Sequence, residues 1–145
     1  MKLAWLLWLA SVLPHDAADQ TCLAATVYLE ARSESTLGQK AVAEVALRRR
    51  DNGRWGNTVC KVVTAPGQFA VSTTHKGYVL RNPDAWGKAW RVAGDVMHNW
   101  SLPHEQREQV VPDADHFAIA EQVSPSWMIG EPLRKIGAHS FYRVN

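Results

Sequence analysis

Apolar and polar residues alternate with a helical period in the region that follows residue 18. Leu23, Val27 and Ala31 lie four residues apart, so one apolar face of a helix is predicted here. Asp19 precedes this pattern and is the predicted N-cap of the helix. Glu30 lies one position from the apolar face, near the C-terminal end of the helix. The pattern therefore predicts a carboxyl group held against a hydrophobic surface.

Two further helices are predicted downstream. Residues 37–50 have a similar apolar face, with Ser35 or Thr36 as the cap and Gly53 just beyond the end. The third helix begins at Asn82, which is followed by proline, a residue favoured at the first helical position. Its residues at helical spacing are Trp86, Ala89, Trp90, Ala93, Met97 and Trp100. Such regular spacing favours packing in the core over the binding of sugars.

Short β-strands are predicted near the C-terminal end of the sequence. Residues 116–120 and 140–144 have the length of strands and could pair with each other. Trp55 and Trp127 lie in predicted loops and are the better candidates for contacts with sugar rings. Together these elements predict a small, mostly helical α+β domain with one core and a short β element.

The predicted environment of Glu30 favours a catalytic role. A carboxyl group beside a hydrophobic surface loses hydration when it ionises, so its pKa is expected to rise. A glycosidase needs such a group to donate a proton to the departing oxygen near neutral pH. The alternative is a structural role, in which Glu30 reaches solvent or pairs with Arg32 or Arg48.

The N-terminal segment has the pattern of an export signal. A single lysine is followed by an apolar run over residues 3–13, which is shorter than the roughly 20 residues of a membrane span. We therefore predict a signal peptide or signal anchor over residues 1–18, a catalytic domain over residues 19–145, and export to the periplasm or cell wall. An uncleaved segment would make transient contact with the membrane. In the alternative, Trp5 and Trp8 pack on the domain.

Charge and cysteine content add two further expectations. The formal net charge of +2 suits approach to an anionic cell wall but is too small to indicate nucleic-acid binding. The only basic run, Arg48 to Arg50, is expected to interact favourably with the dipole at a helix end. Cys22 and Cys60 are an even pair, which in an exported protein favours a disulfide bond worth about 3 to 4 kcal/mol. In a cytoplasmic protein both thiols would instead be buried and reduced.

Six segments of the sequence resemble the SleB/CwlJ cell wall hydrolases. They are residues 30–34 (EARSE), 38–49 (GQKAVAEVALRR), 57–63 (NTVCKVV), 66–69 (PGQF), 114–117 (ADHF) and 136–143 (IGAHSFYR). These segments follow one consistent order from Asp19 to Arg143, so the resemblance is more specific than any single motif.

The resemblance implies a lysozyme-like fold and cleavage of peptidoglycan glycan strands, as in a phage endolysin. The first glutamate of the family's Glu-Ala-Arg-Gly-Glu motif is its catalytic acid, and this glutamate corresponds to Glu30. The family's glycine is Ser33 here, so the loop that leads to Glu34 is expected to follow a different path. Glu34 would either steer the substrate or cap the next helix.

Two reactions on the glycan strand stay open at this point. A lytic transglycosylase needs only one glutamate, because the C6 hydroxyl of the substrate attacks, and this reaction is favoured here. A hydrolytic muramidase or glucosaminidase would need a second carboxylate, for which Glu34, Asp115 and Glu121 are the candidates. The residues expected to bind or orient the sugars are Tyr28, Gln68, His116 and Tyr142, with Phe69 as a wall of the cleft.

Two other classes of function compete with a glycosidase. His116 and His139, with Asp113 or Asp115, could bind zinc in a peptidoglycan amidase or peptidase, but their spacing fits no familiar metal motif. A non-catalytic wall-binding module would leave the position of Glu30 unexplained. We expect no metal and no cofactor, peptidoglycan as the partner, no nucleic acid, and a monomer.

Overall fold

A computed structural model describes all residues, 1–145, as six α-helices, one 3-10 turn and a small sheet. The helices are α1 (Leu3–Val12), α2 (His15–Ala31), α3 (Thr36–Asn52), α4 (Val59–Thr64), α5 (Ala70–Thr73) and α6 (Pro83–Trp100). The 3-10 turn covers His104–Gln106, and the strands are β1 (His116–Ala118), β2 (Arg134–Ile136) and β3 (His139–Tyr142). The prediction of a mostly helical α+β domain with a short β element is confirmed.

Helix α2 lies at the centre of the domain and packs against α1, α3, α4 and α6. Every residue from Thr21 to Tyr28 is buried, so the helix is enclosed on all sides. The predicted N-cap is wrong, because α2 begins one turn earlier, at His15, and Asp19 lies inside it. The buried Asp19 carboxylate instead accepts hydrogen bonds from the backbone N–H groups of Val59 (3.1 Å) and Cys60 (3.4 Å), at the start of α4. An acid in one helix thus satisfies the free N–H groups of another.

The predicted caps at the start of α3 and α6 are confirmed, as is the glycine just beyond the end of α3, which extends two residues past the predicted 50. The Ser35 hydroxyl accepts a hydrogen bond from the backbone N–H of Gly38 at 3.2 Å, and Gly53 ends α3 in the left-handed conformation, with φ 79°. Asn82 accepts a hydrogen bond from the backbone N–H of Ala85 at 2.9 Å at the start of α6. The apolar stripe of α6 mostly faces the core: Ala89, Ala93 and Trp100 are buried, Trp86 and Met97 are half-buried, and Trp90 is exposed at its edge.

The sheet contains the predicted strand pair and one strand that the sequence did not reveal. β1 and β3 pair antiparallel, with Phe117 opposite Phe141. β2 pairs with the other edge of β3, so the strand order is β1-β3-β2. Phe141, on the central strand, is completely buried. The sheet therefore rests on the helical core through its middle strand.

A disulfide bond joins Cys22 of α2 to Cys60 of α4, as the even pair of cysteines predicted. Cys22 is buried in the core. The bond and the Asp19 hydrogen bonds hold the same two helices together at neighbouring positions. This matters for the site described below, because α4 leads into the loop that contacts the end of α2.

The N-terminal segment forms α1, which packs on α2 through Leu3, Leu6 and Ala10. The alternative in which Trp5 and Trp8 pack on the domain is wrong, since their exposed fractions are 65% and 66%. The predicted boundary after residue 18 falls within α2. None of the helices combines the length and the hydropathy that a membrane span requires.

Candidate active site

A cleft of about 670 Å³ opens where the C-terminal ends of α2 and α3 meet the sheet. Its polar lining consists of Glu30, Arg49, Arg54, Gln68, His116, Gln122, His139 and Asn145. Aromatic rings of Trp55, Phe117 and Trp127 form much of the remaining wall. Elements distant in sequence thus bring several of the predicted site residues to one surface.

Glu30 lies in this cleft, in the last turn of α2. Its Oε2 accepts a hydrogen bond from the backbone N–H of Ala70 at 3.3 Å. Burial raises the pKa of Glu30, against the opposing effects of this hydrogen bond and of the Arg49 charge. The alternative in which Glu30 pairs with Arg32 or Arg48 is wrong. Arg32 donates to the backbone carbonyl of Tyr28 in its own helix, and Arg48 pairs with Glu44. The other carboxylate oxygen of Glu30 accepts no hydrogen bond within the chain.

Arg49 is a site residue that sequence analysis missed. Its guanidinium lies 4.7 Å from the ring centroid of Phe69 and 5.2 Å from that of Trp55. Its Nε donates to the backbone carbonyl of Asp115 at 2.8 Å, and its Nη1 donates to Oε1 of Gln68 at 3.2 Å. Burial lowers the pKa of Arg49 to about 10, which still leaves it charged at neutral pH. Arg49 lies in the last turn of α3, where the basic run was expected to interact with the helix dipole, and it has these cleft contacts in addition.

Gln68 lines the cleft, as predicted, and its orientation follows from Arg49. A guanidinium can only donate hydrogen bonds, so the amide oxygen of Gln68 faces Arg49. The amide NH₂ group remains available to donate to a ligand. Gln68 can therefore hold an acceptor such as an N-acetyl oxygen.

His116 lines the cleft beside the carboxylate of Asp115. Its Nδ1 lies 2.9 Å from Oδ1 of Asp115, so the carboxylate favours the tautomer with the proton on Nδ1. Burial lowers the pKa of His116 more than the Asp115 hydrogen bond raises it, and the ring is neutral at neutral pH. Nε2 is then free to accept a hydrogen bond from a sugar hydroxyl.

Asp115 is fully engaged by its neighbours. Besides His116, its carboxylate accepts hydrogen bonds from the backbone N–H groups of Val144 (2.7 Å) and Asn145 (2.9 Å). Although burial acts to raise the pKa of Asp115, these hydrogen bonds lower it below its usual range. Asp115 therefore anchors Val144 and Asn145 and has little capacity left to activate water.

Glu34 contacts the cleft only through His139. Its Oε1 accepts hydrogen bonds from the backbone N–H of Ala138 at 2.9 Å and from Nδ1 of His139 at 3.3 Å. Of the two alternatives for Glu34, capping of the next helix is wrong, because the cap of α3 is Ser35. Ser33 does not have a positive φ, so this turn does not require the family's glycine. The Glu34 carboxylate fixes the His139 ring, which itself lines the cleft.

Three residues predicted to contact sugars are buried behind the cleft. Tyr28 is 2% exposed, and its hydroxyl accepts a hydrogen bond from the backbone N–H of Asn82 at 3.2 Å. Residues two apart on a helix point in nearly opposite directions, so Tyr28 cannot share the side of Glu30. Phe69 (3% exposed) packs under Arg49, and Tyr142 (7% exposed) is covered by the ring of Trp127 at 5.6 Å.

The two loop tryptophans contribute to the cleft, as the sequence suggested. Trp127 also contacts His116, with 4.7 Å between ring centroids. Trp55 lies against Arg49 and, at 5.0 Å, against Arg54. The flat aromatic surfaces of these two residues suit stacking with sugar rings.

Glu30 is the only side-chain carboxylate that lines the cleft. Asp115 and Glu34 are held by the hydrogen bonds described above, and Glu121 lies outside, 81% exposed and 3.5 Å from Lys135. No group of three or more His, Cys, Asp or Glu side chains is close enough to hold a metal ion. The arrangement can therefore supply one buried acid, the neutral imidazole of His116 and the amide donor of Gln68.

The family model for cell wall hydrolases matches residues 33–142. Two spore cortex-lytic enzymes are similar to this chain: that of Bacillus subtilis strain 168 is 30% identical over 124 residues, and that of Bacillus cereus is 29% identical over 128. These alignments cover 85% and 88% of this chain but only 37% and 45% of the relatives. The chain thus spans less than half the length of these curated relatives.

Two solved structures resemble the fold. The catalytic domain of the germination-specific lytic transglycosylase SleB from Bacillus anthracis is 28% identical, with a TM-score of 0.68 over 86% of this chain and 93% of that domain. The catalytic domain of the Bacillus cereus SleB protein is also 28% identical, with a TM-score of 0.65 over 86% and 89% of the two chains. The expected fold is thus confirmed over most of the chain.

Proposed function

The chain belongs to the cell wall hydrolase family, and we propose that it is a lytic transglycosylase that cuts β-1,4 glycosidic bonds in peptidoglycan glycan strands. Similarity to a SleB catalytic domain supports the substrate class. The observation that carries the choice of reaction is that Glu30 is the only side-chain carboxylate in the cleft. A hydrolase of the usual kind would need a second carboxylate to activate water or to attack carbon.

In the proposed reaction Glu30 acts first as an acid and then as a base. Burial raises the pKa of Glu30 and so favours its protonated form, whose proton passes to the glycosidic oxygen as the bond to C1 of the muramic acid residue breaks. The leaving sugar departs with a hydroxyl at C4. The Glu30 carboxylate then takes the proton of the C6 hydroxyl while O6 bonds to C1. The product is a 1,6-anhydro sugar, no water is consumed, and Glu30 ends protonated.

Neutral hydrogen-bonding groups around Glu30 would orient the sugar for this attack. The amide NH₂ of Gln68 is available to an N-acetyl oxygen, and Nε2 of His116 is available to a hydroxyl. Glu34 is a positioning residue in this scheme, because it acts by holding the ring of His139. Trp55 and Trp127 would support neighbouring sugar rings.

Action on peptidoglycan requires export, and we propose that the N-terminal segment directs it to the periplasm or cell wall. The apolar run over residues 3–13 and the Cys22–Cys60 disulfide support this proposal. N-terminal sequencing of the protein recovered from the periplasm tests it. A protein retained in the cytoplasm would contradict it.

Mass spectrometry of the sugars released from purified peptidoglycan tests the proposed reaction. We expect anhydro-muropeptides from the wild type, and a loss of about 10³-fold or more in the rate for Glu30→Gln. Glu121→Gln is the matched control, because it changes an exposed glutamate outside the cleft and should leave the rate unchanged. A chelator should also leave it unchanged. Reducing sugar ends would instead indicate a hydrolase, and full activity of Glu30→Gln would refute the assignment of Glu30.

A further inference from the structure

Arg54 is a charged residue of the cleft that the proposed reaction does not use. It follows the left-handed turn at Gly53 and is exposed to solvent. Its guanidinium lies 5.0 Å from the ring centroid of Trp55 and makes neither a salt bridge nor a side-chain hydrogen bond within the chain. All five of its N–H donors are therefore available to a ligand.

The other charged groups of the cleft are already satisfied or neutral. Arg49 donates to Gln68 and to the Asp115 backbone, and it is buried between two rings. His116 is neutral, and the proposed mechanism needs Glu30 protonated. Arg54 is thus the one charged side chain of the cleft that has no partner within the chain and is available to a bound strand. An anionic group on the substrate would complement it.

Peptidoglycan carries anionic groups on only one of its two sugars. N-acetylglucosamine has no ionisable group, whereas N-acetylmuramic acid bears a lactyl ether at C3. The carboxyl of that lactyl group is either free or joined to a stem peptide that has carboxylates of its own. A fixed cation beside the strand can therefore distinguish the two sugars and set the register of the strand over Glu30.

We propose that Arg54, held on the ring of Trp55, binds a carboxylate carried by the muramic acid residue at the cut, and so selects muramoyl over glucosaminyl residues. This inference rests on the proposed function, since it assumes that a glycan strand occupies the cleft. A guanidinium fork matches a carboxylate with two parallel hydrogen bonds, and stacking on an aromatic ring limits its freedom before binding. Trp55 thus has a role in addition to sugar stacking.

Binding of matched glycan strands to a Glu30→Gln background tests this inference without turnover. The first ligand is peptide-free glycan, and the second is the same glycan with its lactyl carboxylates converted to neutral methylamides. The variants are Arg54→Gln, Arg54→Lys and the control Arg91→Gln, which changes an exposed arginine of α6 that does not line the cleft. Because Arg54 is exposed, these changes should not affect folding.

We expect Arg54→Gln to weaken binding of the carboxylate glycan about tenfold or more and to leave binding of the amidated glycan unchanged. Arg54→Lys should lie between the two, and Arg91→Gln should match the background. A third ligand, glycan that retains its stem peptides, identifies the source of the carboxylate. If Arg54→Gln weakens binding of this ligand alone, the carboxylate belongs to the peptide. If it weakens binding only of the peptide-free glycan with free lactyl groups, the carboxylate is the lactyl one. Both outcomes support the inference.

If Arg54→Gln weakens binding of the charged and the amidated glycan by the same factor, or weakens binding of none of the three ligands, the role of Arg54 is overturned. Neither result bears on the reaction, because the wild type is judged separately by its anhydro products. Conversely, a wild type that releases no anhydro ends would refute the proposed function even if Arg54 discriminates between the ligands. The two failures are thus distinguishable.

Discussion

Removing the Cys22–Cys60 disulfide should lower the free energy of unfolding by an amount set by the loop that it closes. The two cysteines are 38 residues apart in sequence. In the chain-entropy model a loop of this length corresponds to about 3.9 kcal/mol at 25 °C, because the bond restricts the unfolded chain. At about 2–4 °C per kcal/mol for a domain of this size, the melting temperature should fall by roughly 8–15 °C.

Urea unfolding of Cys22→Ala, Cys60→Ala and the double variant measures this effect. Each single substitution already breaks the bond, so the double variant should lose little more than either single variant. Reductant should destabilise the wild type by a similar amount and leave the double variant unchanged, which serves as the control. Two outcomes would show that the chain-entropy reasoning does not apply to this loop. One is a double variant that loses the sum of the two single-variant losses in unfolding free energy, and the other is a loss below about 1 kcal/mol.

Three further predictions concern the cleft. Burial raises the pKa of Glu30 above its unfolded value, so the wild type loses stability as pH rises through the folded pKa. Over that pH interval Glu30→Gln should gain stability relative to the wild type, which thermal melts at stepped pH would measure. A stability difference that stays constant with pH would contradict this prediction. Gly137 has φ 57°, and a Cβ added there would meet Oε1 of Glu34. Gly137→Ala should therefore cost about 1–2 kcal/mol and reduce kcat by roughly tenfold or more, and normal turnover would argue against the positioning role of Glu34. Hydrogen bonds lower the pKa of Asp115, so its contribution to stability is present above the unfolded pKa and is lost as pH falls through the folded pKa. Asp115→Asn should lower the free energy of unfolding by about 1.5–3 kcal/mol at neutral pH. In urea unfolding at stepped pH, the variant should also lack the part of the acid dependence that Asp115 causes.

The elements with strong local signals could be predicted from the sequence. α3 and α6 have side-chain caps that act within three residues, Ser35 and Asn82, and a left-handed glycine ends α3. The position of Glu30 beside a hydrophobic surface could be predicted from its place one step from an apolar helix face, and a family motif surrounds it. These signals depend on near neighbours in sequence, so they can be recognised without knowledge of the tertiary structure.

The residues that could not be predicted depend on contacts distant in sequence. Asp19 resembles an N-cap in its own helix, but its partners are the N–H groups at the start of α4, 40 residues away. Arg49 appears in a basic run, although its spacing of four from the buried Val45 was a signal that it faces the interior. β2 is three residues long with two exposed, so it has no hydrophobic pattern to recognise. Aromatic residues such as Tyr28 fit either a cleft or a core, and only packing decides between them.

The hydrogen bonds of Asp115 have a practical consequence for handling the protein. They hold Val144 and Asn145 at the cleft, and both residues line it. An affinity tag or fusion partner attached after Asn145 would emerge beside the groove where the glycan strand is expected to lie. Such an addition would compete with the polymer for access, so an apparently inactive preparation could reflect obstruction by the added residues. Purification handles are better placed elsewhere on the molecule.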